Sequence, residues 1–360
     1  MAAVPKYIFV IKDNNGNLYE FERSVNRAWE YYENDVGRCR FFIPYNDLKL
    51  SATSVPDDEI SRIYIYRNGT LVWQGITQIV QDTLNGVWVF GETFEAALSW
   101  YGVRYNQAYT STAIGTIVTN EYDNIETRPV NFFSSLVTQG TIEAPYISGT
   151  TSNLTITRTL FNENFLDFLK QMVLSARAEM TSSWSQNTVF KISFSDTTPT
   201  FTFTRNAGSE KADVILELDS EIIDFNIPRD IRGVANEVKG LAITSGPSVI
   251  TATYSDATSR GDWYRREFYP FFNNVTAQSD LNQRTSNFMQ DRKAPLRDMK
   301  IKLAAGLTPF DGYAMSDSIK VRINRGRVNI DEYRRVVGME VSIDDAGIET
   351  TVPILQKART

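Results

Sequence analysis

The stretch IYIYRNGTLVWQGI (residues 63–76) decides the fold class. Apolar and β-branched residues run up to Asn68-Gly69 and away from it, and Asn-Gly is the pair that best tolerates the positive φ angles of a tight hairpin turn. The segment therefore predicts two antiparallel strands. A second stretch, IKVRINRGRVNIDEYRRVVGM (residues 319–339), repeats the order of strand, Asn/Gly turn, strand, glycine and apolar residue. Two hairpins of any origin look alike at this level; two versions of one barrel in a single chain also fit.

Working outward, strands predominate from Tyr7 to about Phe90. YIFVI and LYEFE flank the turn Asp13-Asn14-Asn15-Gly16-Asn17, RFFIP and VWVF follow, and six or seven strands are predicted, enough for a small barrel or sandwich. At Glu92 the period changes to a helical one, with Phe94, Ala97, Leu98 and Tyr101 on one side. A second helix is predicted from Ser111 to about Tyr122, then a loop with a strand or two from Pro129 to Asn153. The strongest helical pattern lies within Phe161–Met180, with Asn162 or Asn164 as N-cap and a wide apolar arc that predicts burial between layers. VFKISFSD and TFTFTR alternate with period two, and DVILELDSEIIDFNI reads as a strand pair. After Pro228 strands resume, interrupted by one helix from Thr276 to about Arg292 that stops before Pro295. The expected fold is mainly β with an α+β middle region: a first β-barrel domain over residues 1–100, a mixed region over 101–227 and a second β-barrel domain with one helix over 228–360.

A chain of 360 residues with 42% hydrophobic and 22% charged residues and a mean hydropathy of −0.28 fits a globular protein with a substantial core. Histidine is absent, which excludes Ser-His-Asp and Cys-His nucleophile systems and His-containing metal sites. Cys39 stands alone, so one copy builds no disulfide and no four-Cys zinc site. A net charge of −6 gives no overall electrostatic footprint for gripping phosphates. The opening residues lack a cationic n-region and an h-region, and no apolar run is long enough to span a bilayer, so neither export by a cleaved signal nor a membrane span is expected.

Four carboxylates, Glu92 with Glu95 and Asp224 with Asp230, are candidates for paired acid/base chemistry; Glu92 and Glu95 equally suit the positive end of a helix start. Asp344-Asp345 before Gly347 reads as a hairpin turn, with too few oxygen ligands for calcium. Lys320, Arg322, Arg325, Arg327, Arg334 and Arg335 form the basic cluster. Alternation puts Lys320 and Arg322 opposite Ile319, Val321 and Ile323, either as a phosphate-binding face or as a solvated or inter-subunit face. Tyr31, Tyr32, Trp100, Tyr101, Trp263 and Tyr264 are candidates for a sugar-stacking platform, against core and interface packing. The expected sites are none catalytic, none for a metal and none for a cofactor.

The order of segments resembles the tail hub, or baseplate hub, proteins of tailed bacteriophages. KYIFVIKDNNGNLYEFE, RCRFFIPYNDLKL and ISRIYIYRNGTLVWQGIT resemble the opening barrel, FNENFLDFLKQMVLSA the middle helix, and GVANEVKGLAI, TYSDATS and SIKVRINRGRV the closing domain. Ser259-Arg260-Gly261-Asp262-Trp263 departs from the family, which often shows a Tyr-Gly pair there, and no lysozyme-like or peptidase-like segment is recognised. The resemblance implies a non-enzymatic virion protein, assembled in the host cytoplasm into a trimer. Its six barrels would adapt a hexameric tail tube to the tail tip and surround the channel through which DNA leaves. Its partners would be the tail tube or distal tail protein, tip, spike or fibre proteins and the tape measure. The alternatives are a tail-tip carbohydrate- or receptor-binding protein and a carboxylate-dependent cell-wall hydrolase.

Overall fold

The computed structural model describes residues 5–13, 15–47, 49–50, 61–129, 132–145, 152–160, 163–178, 188–205, 207–228, 230–243, 248–272, 275, 277–295 and 298–357. Seven strands occupy the first part: β1 (Tyr7–Lys12), β2 (Leu18–Phe21), β3 (Val25–Tyr32), β4 (Arg38–Pro44), β5 (Arg62–Arg67), β6 (Thr70–Asp82) and β7 (Gly86–Thr93). The first turn forms as its residues dictate. The Asp13 carbonyl accepts from Gly16 N–H, Gly16 sits at φ +90°, and the Asp13 carboxylate takes the Asn17 amide at 2.8 Å; Asn14 lies outside the described residues. Asn68 and Gly69 both have positive φ, 49° and 81°, and close the β5–β6 hairpin.

The middle region holds a 3-10 helix (Phe94–Trp100), β8 (Gln107–Ala113), α1 (Ile114–Glu126), α2 (Phe132–Leu136), β9 (Thr138–Ile142), β10 (Thr155–Leu160), α3 (Phe165–Ala178), β11 (Val189–Ile192) and β12 (Thr200–Thr204). Its own core gathers Phe94, Leu98, Ile117, Tyr122, Phe165, Phe168, Phe190 and Phe201. Asn164 caps α3 by accepting the Asp167 amide at 2.8 Å; Asn162, Thr276 and Met180, offered above as helix ends, lie outside the described residues. Two expectations change here. Ser111 and Thr112 belong to β8, with Ser111 at φ 44°, and α1 starts after Ala113 without a side-chain cap. The stretch after Glu92 makes only seven residues of 3-10 helix, and Glu92 itself is in β7.

The last part contains β13 (Glu210–Glu217), β14 (Ile222–Asn226), β15 (Glu237–Ile243), β16 (Val249–Ser255), α4 (Ala257–Trp263), β17 (Glu267–Phe268), α5 (Gln278–Arg292), β18 (Met299–Leu303), β19 (Ser318–Arg325), β20 (Val328–Ile343) and β21 (Glu349–Lys357). The strands β13 and β14, read from sequence as a pair, do not hydrogen-bond as one. β13 runs parallel to β19 and β14 antiparallel to β18. Sheet membership therefore changes at about residue 210 and not at 228, and β15–β17 form a separate three-stranded sheet covered by α5.

The main sheet contains the same strand order twice. In the first part the order is β3-β4-β7-β6-β5-β1, with β2 beyond it; in the last part it is β14-β18-β21-β20-β19-β13. Ranked along the chain, with β2 left out, both read second, third, sixth, fifth, fourth, first. Only the final pair differs, antiparallel for β1–β5 and parallel for β13–β19. The match extends to detail. β6 is bulged between Thr77 and Ile79 against β7, and β20 between Val336 and Gly338 against β21. Just before each bulge the strand donates one backbone hydrogen bond of 2.8 Å to the residue preceding its hairpin partner, Thr77 to Ser61 and Val336 to Asp317. Aligned through the bulges, Ile76 corresponds to Arg335 and Ile79 to Gly338.

The two repeats join at one seam. Gly338–Ile343 of β20 pair antiparallel with Tyr32–Arg27 of β3, and Glu33 N–H donates to the Val337 carbonyl at 3.0 Å. A single apolar core runs beneath both repeats, from Phe9, Trp29, Phe41 and Trp73 to Ile301, Ile319, Val341 and Leu355.

Candidate assembly surfaces and buried charge clusters

Alternation along β19 buries Ile319, Val321 and Ile323 and turns Lys320 and Arg322 outward, as the pattern requires. The basic cluster is largely neutralised within the chain. Lys320 and Arg322 reach Asp331 at 3.1 and 3.4 Å, Arg325 reaches Asp219 at 3.5 Å, Arg334 reaches Glu332 at 2.5 Å and Arg335 pairs with Glu33. Hydrogen bonds from Lys320 hold the Asp331 carboxyl below its ordinary range. Among the described residues Arg327, at the exposed turn, is the one member with no ion pair.

The carboxylate candidates do not converge. Glu95 is buried and accepts the Ile192 amide at 2.7 Å, so it tethers β11 to the 3-10 helix, and burial pushes its carboxyl up. Glu92 faces Arg38 at 3.5 Å on the surface of the β4–β7 pair. Asp230 is held down to about 2 by its hydrogen bonds with Arg232, while Asp224 accepts from the Phe225 amide. Asp344 takes the Ile348 amide at 2.7 Å and Gly347 has φ 82°, which is the turn read from sequence. The six aromatic candidates lie in four separate places: Tyr31 packs in the main core against Phe194, Tyr32 bonds Glu30 and Glu340, Trp100 and Tyr101 contact Phe132 and Phe133, and Trp263 and Tyr264 end α4.

Sequence reasoning missed a buried charge cluster between the middle region and α5. Arg158, fully buried, donates through Nη2 to Glu163 at 2.6 Å and to Gln171 at 2.7 Å; Arg284 donates to the same Gln171 oxygen at 3.0 Å and to Asp280 at 3.0 Å. Burial, then the Arg284 charge, pull the Arg158 guanidinium down to about 10, and burial pushes the Glu163 carboxyl up. An open cavity of about 240 Å³ lies between α3 and α5, lined by Leu174, Phe271, Phe272 and Phe288 beside Arg284. The spacing Asp280-x-x-x-Arg284 was the available signal. Among the described residues no three His, Cys, Asp or Glu side chains gather as metal ligands, and no helix is long and apolar enough to cross a membrane.

Among the described residues the main sheet has free margins at β6 beyond Ile76 and at β14, besides the outer edges of β2 and β13. β6 loses its β5 partner after Ile76, and its free margin carries Ile79, 59% exposed, with Leu84, 93% exposed, at the following turn. β14 ends the sheet beyond β18, and beside it Ile223 and Ile231 are 56% and 41% exposed. Apolar side chains on unpaired edges invite a partner strand.

This architecture is known. The chain is similar to the 43 kDa tail protein of prophage MuSo2 from Shewanella oneidensis, at a TM-score of 0.63 and 13% identity over 97% of this chain and 98% of that one. A tail protein from Neisseria meningitidis MC58 matches at 0.60 and 12% identity, over 98% of this chain and 96% of that one. An E. coli component of the type VI secretion system, which exhibits structural similarity to T4 bacteriophage tail proteins gp27 and gp5, matches at 0.52 and 12%, over 93% and 74%. The fold is that of phage tail proteins. No family model and no curated protein sequence matches the chain.

Proposed function

We propose that the protein is a structural, non-enzymatic tail hub of a bacteriophage virion, assembled in the host cytoplasm. Three copies form a ring that adapts a six-fold tail tube to a three-fold tip and surrounds the channel for genome exit. The observation that carries this reading is the duplicated strand order, with one repeat joined edge to edge to the other. Two tube-like units per chain let three chains present six to a hexameric neighbour, whereas a single unit leaves a symmetry mismatch. We divide the chain accordingly into a first barrel over about residues 1–100, an α+β region, and a second barrel assembled from β13, β14 and β18–β21. Other tail proteins are the partners, and no cofactor or metal has a role. The dispersal of Glu92, Glu95, Asp224 and Asp230 supports the non-enzymatic reading over a wall hydrolase. Electron microscopy of the assembled particle tests it: density for this chain as a three-fold ring on the tail axis is the expected result, and a peripheral position away from the axis overturns it.

A further inference from the structure

The cavity between α3 and α5 is walled by three pieces of chain. α3 contributes Leu174, the segment after β17 contributes Phe271 and Phe272, and α5 contributes Arg284, Asn287 and Phe288. These walls are fixed in place by main-chain bonds. Phe272 N–H donates to the Leu241 carbonyl of β15 at 2.8 Å, and Asn287 Nδ2 crosses from α5 to the Leu174 carbonyl of α3 at 3.0 Å.

Two buried polar atoms of the lining lack partners among the described residues. Arg284, 8% exposed, uses Nε on Asp280 and Nη1 on Gln171 and leaves Nη2 without an acceptor. Asn287, 6% exposed, commits Nδ2 to the Leu174 carbonyl, which fixes the orientation of its amide and leaves Oδ1 without a donor. Three residues apart on α5, the two share one face of the helix. An unsatisfied buried group costs free energy that a complementary ligand recovers. One missing acceptor and one missing donor are the two halves of a peptide group.

We propose that this cavity is a docking site for a segment of another polypeptide. The segment inserts an aromatic or leucine side chain against Leu174, Phe271 and Phe288, while its main-chain carbonyl accepts from Arg284 Nη2 and its main-chain N–H donates to Asn287 Oδ1. Size, charge and surroundings choose that occupant. A volume of about 240 Å³ falls below the roughly 300–1,000 Å³ of sites that enclose a whole small molecule, and suits one side chain with its peptide group. Arg284 is already paired with Asp280 at 3.0 Å, and Asp291 also lines the cavity. An entering carboxylate therefore meets Asp291 and an entering ammonium meets Arg284, whereas a neutral amide meets neither cost. The mouth opens onto apolar surface: Leu174 and Phe271 are 42% and 51% exposed, and the exposed Phe268 stacks on Phe288 with ring centroids 5.1 Å apart. An aromatic rim around a desolvated pocket is where a protein partner places its anchor residue. The site is complete within one chain, so it stands apart from the number of copies in the proposed ring.

The test titrates N-acetyl-phenylalaninamide into the full chain carrying methyl-labelled leucine and follows the Leu174 methyl resonances by NMR, with N-acetylphenylalanine and phenylalaninamide as the anionic and cationic analogues. The Leu174 resonances should shift and saturate with a dissociation constant on the order of 1 mM, the range of a well-placed fragment. Both charged analogues should bind at least about tenfold more weakly. Phe271→Ser, at an exposed position, should weaken the amide about tenfold with thermal unfolding unchanged. Arg284→Lys, which keeps the charge facing Asp280 and removes Nη2, should do the same to binding. Tightest binding by N-acetylphenylalanine would make the cavity an anion site and overturn the peptide reading. An absence of any shift at saturating probe would leave a hydrated packing gap and overturn it as well. Leu174 resonances that follow the oligomeric state on dilution, and ignore the probe, would place a second copy on the cavity and reject a separate polypeptide.

Discussion

Glu33 and Arg335, 302 residues apart in sequence, form a buried ion pair where the two repeats of the sheet meet. Glu33 follows β3, Arg335 lies in β20 just before the bulge, and Glu33 also accepts from Ser316 Oγ at 2.9 Å. Removing one partner leaves the other in a dry site, where the loss is the full desolvation cost. Glu33→Ala is therefore expected to cost about 3 kcal/mol in urea unfolding. Glu33→Met combined with Arg335→Met should recover most of that loss; a double variant as unstable as the single one would show that the pair is not the source.

Gly75 sits where β6 crosses tightly against β7. A Cβ there would lie 2.1 Å from the Glu92 carbonyl oxygen and 2.5 Å from the Trp73 ring, and Trp73 is fully buried with its indole N–H on the Glu30 carbonyl. Neither neighbour can move freely, one being backbone and the other a packed core ring. Gly75→Ala should destabilise by about 3 kcal/mol, at the upper end of overpacking costs. Gly69→Ala at the open hairpin turn, where a Cβ meets nothing within 4 Å, should lose only the smaller cost of its positive φ. Thermal unfolding of the two variants compares them directly.

How much of this was legible beforehand depended on range. Ile319, Val321 and Ile323 against Lys320 and Arg322 could be read from alternation because a strand's two faces are fixed locally. Asn164 as a cap was legible for the same reason. The partners of β13 and β14 were not, since β13 joins a strand about a hundred residues later and no local period records that pairing. Ser111 imitates a helix cap in sequence but occupies a strand at positive φ, a choice made by its pairing with the β10 strand, whose Thr157 hydroxyl takes the Ser111 amide at 2.9 Å. The Arg158 cluster escaped notice because Arg158 of β10, Glu163 just before α3, Gln171 of α3 and Arg284 of α5 are brought together only by packing.

Burial raises the phenols of Tyr31, Tyr122 and Tyr313 well above their ordinary 10.0. A raised folded value means the folded state holds these protons more tightly than the unfolded chain. Their contribution to stability is complete below pH 10 and is lost as the pH climbs above it. The urea midpoint should fall steeply above pH 10, with tyrosinate absorbance at 295 nm appearing together with unfolding rather than before it. Tyr31→Phe should make that fall shallower; an unchanged slope would remove Tyr31 from the cause.

The Cys39 thiol is buried between β4 and β7, with its sulfur against Gly91, and burial pushes its ionisation upward. A thiol without thiolate does not react. Ellman's reagent at pH 8 should label the native protein only at the rate of global unfolding, and one equivalent at once in guanidinium. Rapid native labelling would show that the β4–β7 pair opens locally.

A hub lumen that lets DNA slide must not hold it, and a duplex carries about one charge per 1.7 Å of axis. The net −6 of each chain opposes capture, and the proposed trimer would triple it. The basic cluster is the exception that decides the matter. Since Lys320, Arg322, Arg325, Arg334 and Arg335 already face carboxylates of their own chain, Arg327 is the one member of the cluster with no such partner among the described residues. Duplex DNA should therefore bind weakly at physiological salt, and the joint replacement of Arg322, Arg325 and Arg327 by Gln should change affinity by less than about tenfold. Tight binding that falls steeply with salt and disappears in that triple variant would mean the cluster lines the channel.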